Sequence, residues 1–234
     1  MLPDENEHSL NGDMSKRAIV RTSTLDWQPS PSGTVWRKRL HLVGGAESGQ
    51  VTSVVRYEKG ATFAAHDHPE GEEILVLEGV FSDEHGDWPA GTYLLNPEGF
   101  RHAPFSEPGC LLFVKLRQYA GTGRHHVALC THDAAWTPGD RPGVEQKMLY
   151  THPEFPDVTR LERWAPGTAM EMPGRAEGAE VFALEGSLED DSGIYDSLSW
   201  LRIPAGKAHR VATRDGCVLY VKTGALGLLR SVDE

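Results

Sequence analysis

The sequence predicts an all-β protein built from two similar units in tandem. From Val35 onwards, short runs of alternating apolar and polar residues recur with glycine and proline between them, which is the pattern of a β-sandwich or barrel. No segment shows a convincing helical periodicity. A length of 234 residues suits one large all-β domain or two domains of about 100 residues each.

An internal repeat favours two domains over one. Gly60 and Gly167 are 107 residues apart, and the same offset relates His102 to His209 without a gap through Lys115. A fixed offset over such a span indicates a duplicated structural unit. We therefore expect an N-terminal tail and leading segment over 1–33, a first barrel over 34–121, a linker over 122–141 and a second barrel over 142–234. Strands of one unit are candidates to complete the sheets of the other.

Composition excludes several classes of partner. The chain has 23 Lys and Arg against 34 Asp and Glu, a formal net charge of −11. This balance argues against nucleic-acid binding and against an anionic membrane surface. The sequence has no long apolar run of the kind that spans a membrane, and its N-terminus is polar and acidic. Three cysteines are an odd and sparse number, which is typical of the reducing cytoplasm, where we expect the protein.

Four residues between Gly60 and His102 have the side chains and spacing of metal ligands. His66 and His68 are two residues apart, so on a strand both imidazoles lie on the same face. Glu72 follows after a short turn, and His102 belongs to a later strand. Imidazole nitrogens and carboxylates bind Zn, Fe, Mn, Co, Ni or Cu. The alternative is that the strand histidines merely pair with surface carboxylates.

The stretch resembles the two sequence motifs of the cupin superfamily. The match covers the defined positions Gly60, His66, His68, Glu72 and Gly79 of the first motif, and Gly91, Pro97, Gly99 and His102 of the second. The asparagine that the family carries three residues after the last histidine is replaced here by Phe105. The resemblance implies two jelly-roll barrels of the cupin type. It also implies one divalent metal ion per chain, bound by His66, His68, Glu72 and His102.

A narrower resemblance concerns residues 72–102 and 109–116, which are similar to the sensor cupin of ChrR-type anti-sigma factors. That resemblance implies a metal-dependent regulatory role in a transcriptional stress response. Such anti-sigma factors bind their sigma factor through an N-terminal helical zinc domain with His and Cys ligands. Residues 1–33 contain no cysteine and a single histidine, His8. We therefore do not expect this chain to bind a sigma factor directly.

The second copy of the repeat lacks the ligand set. Pro173, Arg175 and Ala179 stand where the first copy has His66, His68 and Glu72, and the one remaining histidine is His209. Arginine carries only hydrogen-bond donors and a fixed positive charge, so it does not ligate a cation. We expect the second barrel to be free of metal and His209 to have a structural role.

Three further histidines lie in the predicted linker, at positions 125, 126 and 132. No carboxylate or cysteine completes a ligand set with them at the usual spacing. They are therefore interpreted as part of a solvated loop, with a second, weak metal site as the alternative.

The coordination number of the ion decides between two kinds of function. Four side chains can close the shell of a four-coordinate zinc ion, which suits a regulatory or sensory site. Six-coordinate iron, manganese or nickel would keep two open positions for dioxygen, water or a substrate. The sequence favours zinc and the regulatory role. The alternative is a non-heme metal-dependent dioxygenase that acts on a small diketone or hydroxyaryl ketone.

A storage or carbohydrate-binding role ranks third. A small-molecule ligand in the first barrel and a homodimer are further expectations.

Overall fold

In the computed structural model, residues 9–172 and 177–232 are described. They are almost entirely β-strand, with short 3₁₀ helices at Thr22–Thr24 and Leu226–Leu228. The predicted all-β class is confirmed. No helix within the described ranges is long and apolar enough to cross a membrane. The chain separates into two compact units: the first contains residues 9–12, 25–132 and 230–232, and the second contains 13–24, 133–172 and 177–229.

Strands are numbered in chain order. The strands up to residue 130 are β1 (Ser9–Leu10), β2 (Ala18–Arg21), β3 (Gln28–Pro29), β4 (Val35–Val43), β5 (Gln50–Tyr57), β6 (Ala61–Thr62), β7 (His66–His68), β8 (Glu72–Asp83), β9 (Gly86–Pro89), β10 (Thr92–Asn96), β11 (Phe100–His102), β12 (Phe105–Ser106), β13 (Cys110–Leu116) and β14 (Val127–Cys130). The later strands are β15 (Thr137–Pro138), β16 (Val144–His152), β17 (Phe155–Trp164), β18 (Ala169–Met172), β19 (Ala179–Asp190), β20 (Gly193–Asp196), β21 (Ser199–Ile203), β22 (His209–Ala212) and β23 (Cys217–Thr223).

The first unit is built on an antiparallel sheet in the order β1-β4-β5-β13-β8-β10-β14. The short strands β7 and β11 pair with each other separately. Apolar side chains of the long strands pack into one core, because alternate residues of a strand share a face. Its members include Val35, Val55, Ile74, Val76, Phe81, Leu94, Leu112 and Val114.

The second unit repeats this order. Its sheet runs β15-β16-β17-β23-β19-β21-β2, so β16, β17, β23, β19 and β21 take the places of β4, β5, β13, β8 and β10. Its core includes Trp164, Val181, Leu188, Tyr195, Leu201 and Leu219. The internal repeat of the sequence is therefore a repeat of strand order as well.

The edge strands come from places that the repeat does not predict. Strand β2 lies in the predicted tail and leading segment, yet it pairs with β21 in the sheet of the second unit. The segment 122–141, predicted as a linker, contains β14 and β15, and β14 completes the sheet of the first unit. Strand β2 belongs to neither predicted barrel, so the expectation that strands of one unit complete the sheets of the other stays a prediction. The domain boundaries proposed from the sequence otherwise stay predictions.

Candidate metal centre

Strands β7 and β11 bring three histidines to one point. They pair antiparallel with His102 opposite His66 and Phe100 opposite His68. His68 and His102 are buried, whereas Asp67 between the two histidines of β7 is exposed and forms an ion pair with Arg101 at 3.1 Å. The alternation of a strand therefore directs both imidazoles of β7 to the inner face, as the sequence predicted.

Glu72 is the first residue of β8 and lies beside two of these histidines. The turn before it is closed by the Gly71 N–H, which donates to the His68 carbonyl at 3.1 Å. The Glu72 side chain is buried, and its Oε2 lies 3.5 Å from Nε2 of His68 and 3.6 Å from Nε2 of His102. Glu72 thus lies beside His68 and His102, whereas the group of ligand atoms that are mutually close among the described residues consists of the three histidines.

The spacing of the donor atoms fits a single ion. Ligand atoms of His66, His68 and His102 lie within 4.8 Å of one another, and Nε2 of His68 is 2.9 Å from Nε2 of His102. Metal–ligand bonds of about 2.0–2.2 Å place neighbouring ligand atoms about 3–3.5 Å apart. The cluster of His66, His68 and His102 could therefore hold a metal ion.

Hydrogen bonds to the far side of two rings orient the ring nitrogens. Nδ1 of His102 donates to the buried carboxylate of Asp83 at 3.0 Å, and Nδ1 of His66 donates to the Ala64 carbonyl at 2.8 Å. A carboxylate and a carbonyl only accept, so the proton sits on Nδ1 in both rings. Nε2 of both rings is then unprotonated, which is the usual arrangement of histidine ligands, and Nε2 of His102 accepts a hydrogen bond from Nε2 of His68 at 2.9 Å.

Burial and neighbouring charges shift the pKa values in opposite directions. Burial lowers the pKa of His68, and the nearby His102, His66 and Arg117 lower it further against the opposing charge of Glu72. Burial would also lower the pKa of His102, but the hydrogen bond to Asp83 and the charges of the surrounding carboxylates outweigh it, so this pKa is raised. His68 is therefore kept as a neutral imidazole, the form that ligates a metal.

A second set of contacts holds Glu72. Asn96 of β10 lies directly opposite Glu72, and its Nδ2 donates to Glu72 Oε2 at 2.9 Å. Nδ1 of His126 donates in turn to Asn96 Oδ1 at 3.1 Å. The His126 ring is stacked on Phe100, with centroids 5.1 Å apart and planes at 8°. His126, predicted as part of a solvated loop, is exposed but ends a chain of contacts that orients the carboxylate.

A cavity of about 150 Å³ lies against the histidines. His66 and His68 contribute to its wall, together with the apolar side chains of Phe63, Val55, Val114 and Leu116. A cavity of about this volume holds a molecule the size of benzene. The cavity is therefore large enough for a small molecule and lies against two of the three clustered histidines.

The equivalent region of the second unit is arranged differently. Asp190 corresponds to Asp83, but it accepts hydrogen bonds from Arg17 and, at 2.5 Å, from the Tyr195 hydroxyl. Nδ1 of His209 is buried and has no hydrogen-bond partner among the described residues. Ala179 stands at the start of β19, where Glu72 stands in β8. Pro173 and Arg175, which stand at the positions equivalent to His66 and His68, lie outside the described residues.

The fold and the site together define a double-barrel protein of the cupin class. The chain belongs to the ChrR cupin-like domain family, whose model matches residues 15–120 and again 124–227. The predicted cupin fold and the resemblance to ChrR-type cupins are therefore confirmed. No curated protein matches the sequence.

Solved structures with the same fold are distant in sequence. A candidate dioxygenase from Nostoc punctiforme is 16% identical with a TM-score of 0.72, over 89% of this chain and 82% of that one. The pirin YhhW from Escherichia coli, solved with nickel(II), is 14% identical with a TM-score of 0.64, over 93% of this chain and 100% of that one. Salicylate 1,2-dioxygenase from Pseudoaminobacter salicylatoxidans is 10% identical with a TM-score of 0.64, over 97% of this chain and 84% of that one.

The residues that support the ligands were not predicted from the sequence. Asp83 carried a signal, because the repeat preserves it as Asp190. Asn96 could have been found from the pairing of β8 with β10, which places it opposite Glu72. His126 gave no signal, since its contact depends on where β14 joins the sheet.

Proposed function

We propose that the chain is a metal-dependent dioxygenase acting on a small carbonyl compound. The observation that carries the proposal is the cavity that opens on His66 and His68. A purely structural ion needs no such access, whereas a substrate must reach the ion to react. Four side chains can close the shell of zinc, which from the sequence favours the regulatory role, but a closed shell needs no cavity at the histidines.

In this proposal one divalent ion is bound by His66, His68, Glu72 and His102. Three neutral imidazoles and one carboxylate leave such a site with a net charge near +1. A redox-active ion such as Fe(II) held by these residues would supply the open positions and the electrons that dioxygen chemistry needs.

The residues of the chain bind and orient the reactants. Asp83 and the Ala64 carbonyl fix two imidazoles with Nε2 towards the site. Asn96 fixes the carboxylate of Glu72. Phe63 and Val114 give the cavity an apolar part against which a small substrate packs.

Oxygen uptake with defined metals tests the proposal. Metal-free protein is reconstituted anaerobically with Fe(II) or with Zn(II), and small 1,3-diketones and hydroxyaryl ketones are added. We expect substrate-dependent oxygen uptake with iron alone. The uptake should be lost when His66→Ala and His68→Ala are combined, and retained in His209→Ala. An intact iron site without substrate-dependent uptake would overturn the enzymatic proposal.

A second candidate is the metal-dependent regulatory role, which the membership in the ChrR cupin-like family favours. Under this reading zinc occupies the same four residues and the cavity admits an effector instead of a substrate. Tight binding of one zinc by four protein ligands, together with absence of oxygen uptake, would support it. Co(II) can replace zinc as a spectroscopic probe of the same site. Rapid exchange of a water bound to the Co(II) ion would count against a closed shell.

A further inference from the structure

Three arginines line the cavity beside the candidate metal centre. Arg37 and Arg39 are two residues apart on β4, so they share one face of that strand. Arg117 directly follows β13 and adopts a left-handed backbone conformation with φ of 60°. Such a conformation is unusual for a residue other than glycine and persists only where the surroundings hold it. Three arginines thus contribute to the lining of one small cavity.

The charge of the lining is positive. Glu47 pairs with Arg37 at 2.7 Å and with Arg39 at 3.4 Å, and Asp67 pairs with Arg101. Asp67 is neutralised by Arg101, so the remaining charged residues of the lining are three arginines and the single carboxylate of Glu47. This excess stands in a protein with a formal net charge of −11, so it is a local feature of the cavity.

Burial makes the positive charge costly in the absence of an anion. The side chains of Arg37 and Arg39 are 17% and 15% exposed, whereas Glu47 is 53% exposed. Burial lowers the pKa of Arg39, and the charge of Arg37 lowers it further against the effect of Glu47. A buried anion would relieve this repulsion. Arg39 also donates to Gln28 Oε1 at 2.7 Å and to the Ala46 carbonyl at 3.2 Å. Because a guanidinium has five donors, it can keep these partners and still bind an anion.

We propose that this cavity binds a small organic acid, with the carboxylate on the arginines and an adjacent oxo or hydroxyl oxygen directed to the ion. The carboxylate class follows from the planar fork of arginine, which matches a carboxylate with two parallel hydrogen bonds. The size follows from the cavity volume of about 150 Å³. The second contact rests on the proposed metal centre, whereas the first contact does not.

Calorimetric titration with pyruvate and with pyruvamide tests the inference. The two molecules have nearly the same shape, but only pyruvate carries a carboxylate. Both are added to the metal-free protein and to the zinc-loaded protein. We expect pyruvate to bind at least about tenfold more tightly than pyruvamide to both forms, since charge-assisted hydrogen bonds are the stronger kind. Zinc should tighten pyruvate further only if its shell keeps an open position, whereas six-coordinate nickel, which keeps two, should tighten it. Equal affinity for the two molecules would overturn the inference.

Substitutions locate the binding site. Arg39→Gln and Arg117→Gln should each weaken pyruvate about tenfold or more while leaving the zinc content unchanged. Arg56→Gln is the matched control, because Arg56 belongs to the neighbouring strand β5 and its guanidinium lies over Trp27 and Trp36 outside the cavity. Its affinity for pyruvate should equal that of the unchanged protein. Equal losses in all three variants would contradict a site in this cavity.

Two further outcomes separate this inference from the proposed function. Arginine-dependent pyruvate binding in a protein that takes up no metal would support the anion site and overturn the metal centre. Zinc binding without pyruvate binding would support the metal centre and overturn the anion site. Inorganic phosphate serves as a test of charge alone: if it binds as tightly as pyruvate, the carboxylate class is wrong.

Discussion

The two ring nitrogens of His102 have different partners, and this difference decides which nitrogen can bind an ion. Nδ1 faces Asp83 at 3.0 Å, and Nε2 faces His68 and Glu72. The sequence predicted the histidine itself from the motif. The repeat of Asp83 as Asp190 was a signal for this carboxylate, but its contact with His102 follows only from the fold, which brings the end of β8 beside β11.

Replacing Asp83 by Asn tests the role of this carboxylate. The amide is neutral and no longer favours the tautomer with the proton on Nδ1, so zinc affinity should fall by about 10–100-fold while the protein stays folded. Competition with a chromophoric chelator measures the affinity. Asp190→Asn, the equivalent change in the second unit, is the control and should leave zinc affinity unaltered. A similar affinity for the unchanged protein and Asp83→Asn would exclude the proposed orientation.

Asp190 has a structural role that depends on pH. Burial would raise its pKa, but hydrogen bonds from Tyr195, Arg17 and the Ser192 N–H outweigh burial and lower it. A carboxyl with a lowered folded pKa stabilises the folded state above the pKa of the unfolded chain, about 3.9, and this contribution is lost as the pH falls through the folded value.

The corresponding prediction compares the free energies of unfolding of the unchanged protein and of Asp190→Asn. The difference between them should be constant from about pH 8 to pH 5 and should shrink as the pH falls below about 4. Urea titrations at several pH values measure it. A difference that stays the same, or grows, in acid would show that the ionised carboxylate is not the stabilising group.

At the scale of the elements, β8 has the conformation that places Glu72 at one end and Asp83 at the other. Its register with β13 shifts between Leu111 and Leu112, so β8 carries a bulge before Gly79. Such bulges bend a strand and redirect its side chains. The sequence predicted this strand and its glycine. It did not predict the origin of the edge strands β2 and β14, because edge pairing depends on which distant segments reach the sheet.

Gly79 tests the close packing at this bulge. Its φ is 72°, and an added Cβ would lie 2.0 Å from the Gly109 carbonyl oxygen, so the backbone would have to shift. Gly79→Ala should lower the free energy of unfolding by about 3 kcal/mol or more. Gly60→Ala is the matched control. Its φ of 73° is nearly the same, but an added Cβ would meet no atom within 4 Å. It should cost only about 1–2 kcal/mol. Equal losses of free energy in urea titrations would contradict the steric argument.

At the scale of the whole molecule, the two copies of the duplicated unit differ at equivalent positions: the first holds the histidine cluster and the second holds the contacts of Asp190. The repeat was visible in the sequence because glycines at turns and apolar residues in strands recur at a fixed offset. The loss of the ligand set in the second copy was also visible, at Ala179 and at Pro173 and Arg175. The contacts that Asp190 makes in the second unit were not visible, because Arg17, which directly precedes β2, is far from the repeat in sequence. Homodimer formation stays a prediction.

The metal content of matched variants tests the central claim, that one ion binds at His66, His68, Glu72 and His102 and none in the second unit. Purified protein is loaded with excess zinc, desalted and measured by elemental analysis. We predict one equivalent per chain in the unchanged protein and in His209→Ala. We predict much less than one equivalent in His102→Ala and in the double variant His66→Ala, His68→Ala. Two equivalents per chain, or equal zinc in His102→Ala and His209→Ala, would contradict the account.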